Sequence, residues 1–158
     1  MKKKTCMAAM AIAYMILVPC LSSQAMEEEQ VRELAEEIGT EYAICPELLQ
    51  ILAFHESSYK EDAENDGCIG LMQIDPKWHE KRMEELGITD LHDPEQNMWC
   101  AADYLAELAG KYEDIGMALM VYTGNSGAWE YYRTGEGLSE YVEELLRESE
   151  QLEREHGK

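Results

Sequence analysis

The sequence contains few positive charges, with 13 Lys and Arg residues against 33 Asp and Glu residues. The formal net charge of −20 argues against nucleic acid or an anionic membrane surface as the main partner, because both repel an acidic protein. The sequence also lacks internal repeats, low-complexity segments and a recognisable linker. A length of 158 residues with 46% apolar residues therefore predicts one domain with its own hydrophobic core.

Residues 1–25 have the pattern of a signal peptide. Three lysines at positions 2–4 precede an apolar segment, residues 7–18, which is too short to span a bilayer, and residues 23–25 resemble a cleavage site. Cleavage would leave 10 basic and 33 acidic residues, a net charge of −23. The alternatives are a lipoprotein acylated at Cys20 and an uncleaved N-terminal anchor. We expect the mature protein to be exported to the periplasm, the cell wall or the extracellular space without a stable membrane span.

Export affects the interpretation of the five cysteines. Cys6 and Cys20 would leave with the signal peptide, and the other three would remain in a compartment that permits disulfides. We predict a disulfide between Cys45 and Cys68, with Cys100 as a free thiol. Closing this loop contributes about 3 kcal/mol in the chain-entropy model. The alternative is three reduced, buried cysteines, and none of the three has the spacing of a zinc ligand.

Apolar residues recur at helical spacing through most of the mature chain. Prolines and capping residues such as Asp93 and Ser139 mark where helices begin, and glycines mark where several of them end. A small strand or extended segment is expected at residues 70–74, and residues 151–158 are expected to fray from a domain spanning residues 26–150. The sequence thus predicts a mainly α fold of six to seven helices, at about residues 27–38, 46–58, 76–87, 94–110, 114–122, 128–133 and 139–150.

Glu56 continues an apolar row of the second predicted helix. Leu49, Leu52 and Glu56 fall at i, i+3 and i+7 on one helical face. Such an acid is often the partner of a buried cation, but the sequence has no Lys or Arg between Arg32 and Lys60. An acid that is desolvated without a cation has its ionised form disfavoured, so its pKa rises toward the range useful for proton donation. The pattern therefore indicates a candidate catalytic acid.

Five segments that include Glu56 occur in one order along the chain. Glu56-Ser57 is followed by Gly-Leu-Met-Gln at residues 70–73, and then by segments at residues 93–105, 118–122 and 139–142. In this combination the sequence resembles the soluble lytic transglycosylase family over nearly the whole mature chain. The resemblance implies a mainly α, goose-type lysozyme-like fold.

The resemblance also implies roles for individual residues. Glu56 matches the family's single catalytic acid, and Ser57 matches the serine that helps to hold it. Met72 and Gln73 match the motif that lines the sugar-binding cleft, where an amide can pair with an N-acetyl or hydroxyl group. Tyr122 matches a tyrosine close to the catalytic carboxyl group.

The segment after Tyr122 departs from the family pattern. The family usually has an asparagine directly after this tyrosine, whereas this chain has Thr123-Gly124-Asn125. Either Thr123 replaces the asparagine, or Asn125 reaches the site from a shifted turn. We therefore include Asn125 among the candidate substrate-binding residues.

The implied reaction is cleavage of the β-1,4 bond between N-acetylmuramic acid and N-acetylglucosamine in peptidoglycan. Glu56 would protonate the glycosidic oxygen and then act as a base while the muramoyl 6-hydroxyl closes a 1,6-anhydro ring. No cofactor is required. The alternatives are a lysozyme-type muramidase on the same fold and a degenerate wall-binding or assembly module without activity. We expect the protein to bind peptidoglycan glycan strands as a monomer. By family analogy, an envelope-spanning secretion or conjugation machine is a candidate partner.

Two metal motifs in this region are incomplete. His55-Glu56 begins like a zinc-protease motif, but Tyr59 occupies the position of the second histidine. Residues 62–67 resemble the start of a calcium loop, but Gln73 occupies the position of the bidentate glutamate. We therefore predict no metal site.

Overall fold

The computed structural model describes residues 25–158. The rest of the predicted signal peptide, with Cys6 and Cys20, lies outside the described residues. The predicted mainly α fold is confirmed, since the described chain consists mostly of helices. The helices are α1 (Glu28–Tyr42), α2 (Pro46–Ser57), α3 (Pro76–Leu86), α4 (Pro94–Tyr112), α5 (Ile115–Tyr122), α6 (Ala128–Thr134) and α7 (Glu140–Glu155).

Four of these helices begin at the capping residues that the sequence indicates. Asp75 accepts a hydrogen bond from the backbone N–H of Lys77 at 2.9 Å, and Asp93, Asp114 and Ser139 accept equivalent bonds at the start of α4, α5 and α7. Each cap satisfies a backbone donor that has no partner within its helix. Prolines occupy the first turn of α2, α3 and α4, where the absent N–H costs nothing.

The hydrophobic core forms around α2, which packs against α1 and α7, and around α4, which packs against α1 and α5. The short helices α3 and α6 contribute no fully buried residue and lie on the outside of α4 and α5. None of the helices between residues 25 and 158 has the length and hydrophobicity of a membrane span. The largest fully buried apolar side chains are those of Ile38, Leu49, Leu52, Leu71, Met72, Ile74, Met98, Leu105, Leu119, Met120 and Leu145.

The small β element lies just before the predicted position. Strands β1 (Glu64–Asn65) and β2 (Cys68–Ile69) form an antiparallel hairpin. Its two turn residues, Asp66 and Gly67, both have positive φ, which suits the twist of a tight hairpin. Within the predicted range, Ile74 forms a single β-bridge with Ile69, whereas residues 70–73 form a turn, because positive φ at Gly70 and Gln73 takes the backbone out of the extended region.

Helix α7 continues to Glu155, beyond the residue where the sequence predicts fraying. It runs antiparallel to α2, so that its C-terminal end reaches Glu47, a carboxylate that is only 1% exposed. His156 Nδ1 and Lys158 Nζ lie 2.9 Å and 2.8 Å from Glu47 Oε1. Burial raises the pKa of Glu47, but hydrogen bonds from Lys158 and His156 outweigh that effect and lower it to about 2. The end of the chain is thus held in place by a buried ion pair.

The predicted disulfide between Cys45 and Cys68 is wrong, because both residues and Cys100 are free thiols. Cys45 precedes α2 and lies 3.1 Å from Glu153 Oε1 on α7. Cys68 lies near the opposite end of α2, where it interacts electrostatically with Glu56. A helix of this length is about 18 Å long, whereas the Cα atoms of a disulfide lie less than about 7 Å apart.

Candidate active site

Glu56 lies in the last turn of α2, on the same helical face as Leu49 and Leu52, which are completely buried. Its side chain is partly buried, and burial raises its pKa. A hydrogen bond from Tyr141 and the charge of His55 act in the opposite direction, but their combined effect is smaller. Glu56 is therefore a carboxyl group that keeps its proton to higher pH than an exposed glutamate, as proton donation requires.

Tyr141 is a site residue to which the sequence analysis assigned no role. It lies in the first turn of α7, and its hydroxyl group is 3.5 Å from Glu56 Oε1. Burial and the negative charge of Glu56 raise the pKa of Tyr141, so the hydroxyl group stays protonated and can donate. The sequence carries a signal for this residue in the segment 139–142, but only the antiparallel packing of α2 and α7 brings it to Glu56.

Ser57 positions the backbone around Glu56 rather than the carboxyl group itself. Its hydroxyl group donates to the carbonyl oxygen of Ala53 at 3.2 Å and accepts from the N–H of Lys60 at 3.1 Å. These bonds fix the end of α2, where the next residue, Ser58, adopts a left-handed φ of 54°. The direction in which Glu56 leaves the helix is thereby set.

The turn at residues 70–73 is held by Asn97, a fully buried residue of α4. Its side-chain oxygen accepts from the N–H of Met72 at 2.7 Å, and its amide nitrogen donates to the carbonyl oxygens of Ile69 and Leu91, both at 2.8 Å. The carbonyl oxygen of Met72 in turn accepts from the hydroxyl group of Tyr122 at 2.9 Å. Three distant parts of the chain therefore meet at Met72, whose side chain is fully buried.

Gln73 closes this turn with its own side chain. Its amide nitrogen donates to the carbonyl oxygens of Gly70 at 2.9 Å and Ala63 at 3.2 Å, while its backbone adopts a left-handed φ of 50°. These bonds occupy the two N–H groups of the amide. The side-chain oxygen is therefore the group with which Gln73 can bind an external donor.

Tyr122 links the end of α5 to the turn beside Glu56. Burial, followed by the negative charge of Glu56, raises the pKa of Tyr122 well above its usual range, so this hydroxyl group also stays protonated. Its ring packs on that of Tyr104, with 5.7 Å between the centroids. Tyr122 and Tyr141 thus approach Glu56 from two different helices.

The structure does not bring the amide of Asn125 to Glu56. Asn125 Oδ1 accepts from the N–H of Gly127 at 2.8 Å, which forms the turn between α5 and α6. The hydroxyl group of Thr123 donates back to the carbonyl oxygen of Leu119 at 2.9 Å. In the described part of the chain, neither side chain has a hydrogen bond to Glu56, so both proposed replacements for the family's asparagine are used to shape the turn.

The site contains no arrangement suited to a metal ion. Across residues 25–158, no group of three or more His, Cys, Asp or Glu side chains could coordinate one. The chemistry available around Glu56 is that of one carboxyl group whose pKa is raised by burial, with two neutral tyrosine hydroxyl groups nearby.

Comparisons with known proteins identify the family of this chain. The model of the family described as Transglycosylase SLT domain matches residues 33–139, which include Glu56 and Tyr122 but end before Tyr141. A protein of Enterobacteria phage PRD1 named Transglycosylase is 33% identical over 94 residues, covering 58% of this chain and 34% of the phage protein. The chain thus spans about a third of that curated relative. The family match extends over more than half of the sequence and accords with the observed helical fold, so the chain belongs to the SLT transglycosylase domain family.

Proposed function

We propose that the protein is a peptidoglycan lytic transglycosylase in which Glu56 is the single general acid and base. The observation that carries this proposal is the partly buried carboxyl group of Glu56, with the Tyr141 hydroxyl group 3.5 Å from its Oε1 atom, in a member of the SLT domain family. Most glycosidases use two carboxylates at a defined separation. A single acid suits a reaction in which the substrate provides the nucleophile.

In the first step, Glu56 protonates the oxygen between N-acetylmuramic acid and N-acetylglucosamine, and the bond from this oxygen to the muramoyl C1 breaks. The positive charge that develops on the sugar is stabilised by its own acetamido group and by nearby dipoles. In the second step, the Glu56 carboxylate removes the proton from the muramoyl 6-hydroxyl as that oxygen bonds to C1. The product is a 1,6-anhydro sugar, and Glu56 is again protonated.

The surrounding residues support this chemistry in different ways. Tyr141 donates toward Glu56 Oε1, which stabilises the carboxylate formed after the first step. The hydroxyl group of Tyr122 is bound to the carbonyl oxygen of Met72, so Tyr122 acts by holding the turn at residues 70–73 in place. Within this turn, the side-chain oxygen of Gln73 is available to accept a hydrogen bond from the N–H of an N-acetyl group.

The proposal includes export and a site of action in the cell envelope. The signal-peptide pattern of residues 1–25 supports export. A net charge near −23 after cleavage slows the encounter with anionic wall polymers, which favours recruitment of the monomer by an envelope-spanning partner. Affinity capture from envelope extracts, with the exported protein as bait, tests this recruitment.

The decisive experiment is digestion of purified peptidoglycan followed by mass spectrometry of the released muropeptides. We expect products that end in 1,6-anhydro-N-acetylmuramic acid. The variant Glu56→Gln should keep the fold, because the amide is nearly isosteric, and should lose activity by a factor of at least about 100, because it cannot donate the proton. Glu37→Gln is the matched control, since Glu37 is exposed on α1 and should leave the rate unchanged.

The products distinguish the alternatives. Reducing ends instead of anhydro ends would identify a muramidase that uses water in the second step. Binding to peptidoglycan without any release of muropeptides by the unmodified protein would identify a binding or assembly module. Full activity in Glu56→Gln would contradict the assignment of the acid.

A further inference from the structure

The proposed reaction leaves one histidine–carboxylate pair beside Glu56 without a role. His55 directly precedes Glu56 on α2, and its Nε2 atom lies 2.8 Å from Glu148 Oε2 on α7. The His55 side chain is only 17% exposed, and that of Glu148 is 31% exposed. The pair therefore joins the two helices next to the candidate acid, in a partly buried setting where such a bond is stronger than on the surface.

His55 also contacts the ring of Tyr141. The two rings meet edge to face, with 5.5 Å between their centroids and 66° between their planes. Phe54 makes a similar contact with His55 at 5.9 Å. His55 is thus fixed by Glu148 and by two aromatic rings, and one of those rings carries the hydroxyl group that lies 3.5 Å from Glu56 Oε1.

We propose that His55 is a positioning residue: paired with Glu148, it holds Tyr141 against Glu56 and so fixes the carboxyl group for proton transfer. This inference rests on the proposed function. His55 affects the reaction indirectly, because the side chain that contacts Glu56 is that of Tyr141, and the position of the Tyr141 ring depends on His55. Small displacements of a proton-transferring group reduce rates steeply, by up to about 100-fold for 1 Å.

The charges around the two residues define the expected pH dependence. Glu56 is faced by Tyr141 from α7, by Tyr122 from α5 and by the thiol of Cys68 from β2. On α2 itself, the adjacent residue His55 lowers the pKa of Glu56 when its side chain is positively charged. Removal of that charge should raise the pKa of Glu56 further.

On the other side, His55 is faced by Glu148 from α7. Glu148 also lies 3.7 Å from Arg147, which contacts Glu144 on the same helix at 3.4 Å. The charge on Glu148 is therefore shared between His55 and Arg147. Loss of the Glu148 charge should weaken the hold on His55 without removing His55 itself, so its effect should have the same direction and a smaller size.

The first test is a titration of the Glu56 carboxyl carbon by 13C NMR, on the folded protein without substrate. We compare the unmodified protein with His55→Gln, Glu148→Gln and the control Glu143→Gln, at an exposed position of α7. The midpoint should move to higher pH in His55→Gln, move less in Glu148→Gln and stay in place in the control. This measurement does not require activity, so it tests the role of His55 even if the proposed reaction is wrong.

The second test measures kcat and KM on soluble peptidoglycan fragments as a function of pH. In His55→Gln, kcat should fall by about 10-fold to 100-fold with little change in KM, and the alkaline limb should move to higher pH with the Glu56 midpoint. If His55 acts through Tyr141, the double variant with Tyr141→Phe should be no slower than Tyr141→Phe alone.

Three results would overturn the inference. The Glu56 midpoint could be the same in His55→Gln, Glu148→Gln and the unmodified protein, which would show that the pair does not act on the acid. The losses in kcat could multiply in the double variant, which would show that His55 and Tyr141 act independently. The loss could also lie in KM alone, which would indicate a substrate contact instead.

Discussion

The variant Asn97→Ala tests whether one buried amide holds the turn at residues 70–73 in place. Asn97 is fully buried on α4, and its side chain binds three backbone groups at 2.7 to 2.8 Å. These groups belong to Ile69 and Met72, which are distant from α4 in sequence, and to Leu91 in the loop just before it. Alanine keeps the helix but removes every one of these bonds.

The expected loss of stability follows from counting these bonds. A buried hydrogen bond contributes about 1 kcal/mol net, so the three together contribute about 3 kcal/mol. The N–H of Met72 and the carbonyl oxygen of Leu91 would be left without a partner in a buried setting, and each adds up to about 1 kcal/mol beyond the lost bond unless water enters. We therefore expect Asn97→Ala to lower the free energy of unfolding by about 3 to 5 kcal/mol.

Urea unfolding followed by circular dichroism measures this change directly, with the slope of the transition checked for constancy. The matched control is Asn125→Ala, which removes the single acceptor that the side chain of Asn125 offers to Gly127 at a partly exposed turn. We expect a loss of about 1 kcal/mol or less there. A loss below about 1 kcal/mol in Asn97→Ala would refute the argument that this amide holds the turn.

Two further predictions concern the ion pair at Glu47 and the close packing at Gly70. Because the folded pKa of Glu47 is about 2, below its ordinary value, its ion pair stabilises the fold fully above about pH 4.5 and loses this contribution as the pH falls toward 2. Glu47→Gln should therefore flatten this part of the curve of unfolding free energy against pH. An unchanged curve would argue against a stabilising role of the ion pair. Gly70→Ala should destabilise strongly, because φ is 79° and the new Cβ would collide with the carbonyl oxygen of Leu91. Gly87→Ala, with a φ of 70° but open space around it, should cost only about 1 kcal/mol, and equal losses in the two glycine variants would exclude the collision as the cause. Thermal and urea unfolding measure both effects.

The helices were predictable from the sequence because their signals are local. Asp93 lies three residues before the N–H that it caps, as Asp114 and Ser139 do, so each cap can be recognised within one turn of helix. The apolar row that includes Glu56 is likewise a property of one helix. Fold class, helix starts and the candidate acid all depend on interactions of this short range.

The errors concern contacts between residues far apart in sequence. Fraying beyond residue 150 was expected because the apolar stripe of α7 fades, but Glu47 lies more than 100 residues away and provides the partner for His156 and Lys158. The disulfide was expected because Cys45 and Cys68 are close in sequence, yet α2 extends between them. The position of Tyr141 beside the acid required the same knowledge, namely that α2 and α7 are antiparallel neighbours.

Glu47 and Glu56 lie on the same helix, and their pKa values are displaced in opposite directions. Burial raises both, so burial alone does not explain the difference. At Glu47 it is outweighed by two donors, Lys158 and His156, whereas the charge of His55 near Glu56 is too weak to do the same. The scarcity of positive charge in this chain therefore has its clearest effect on the pKa of Glu56. A cation within hydrogen-bonding distance of Glu56 would hold it ionised, as Lys158 holds Glu47, and would remove the proton that the first step of the proposed reaction requires.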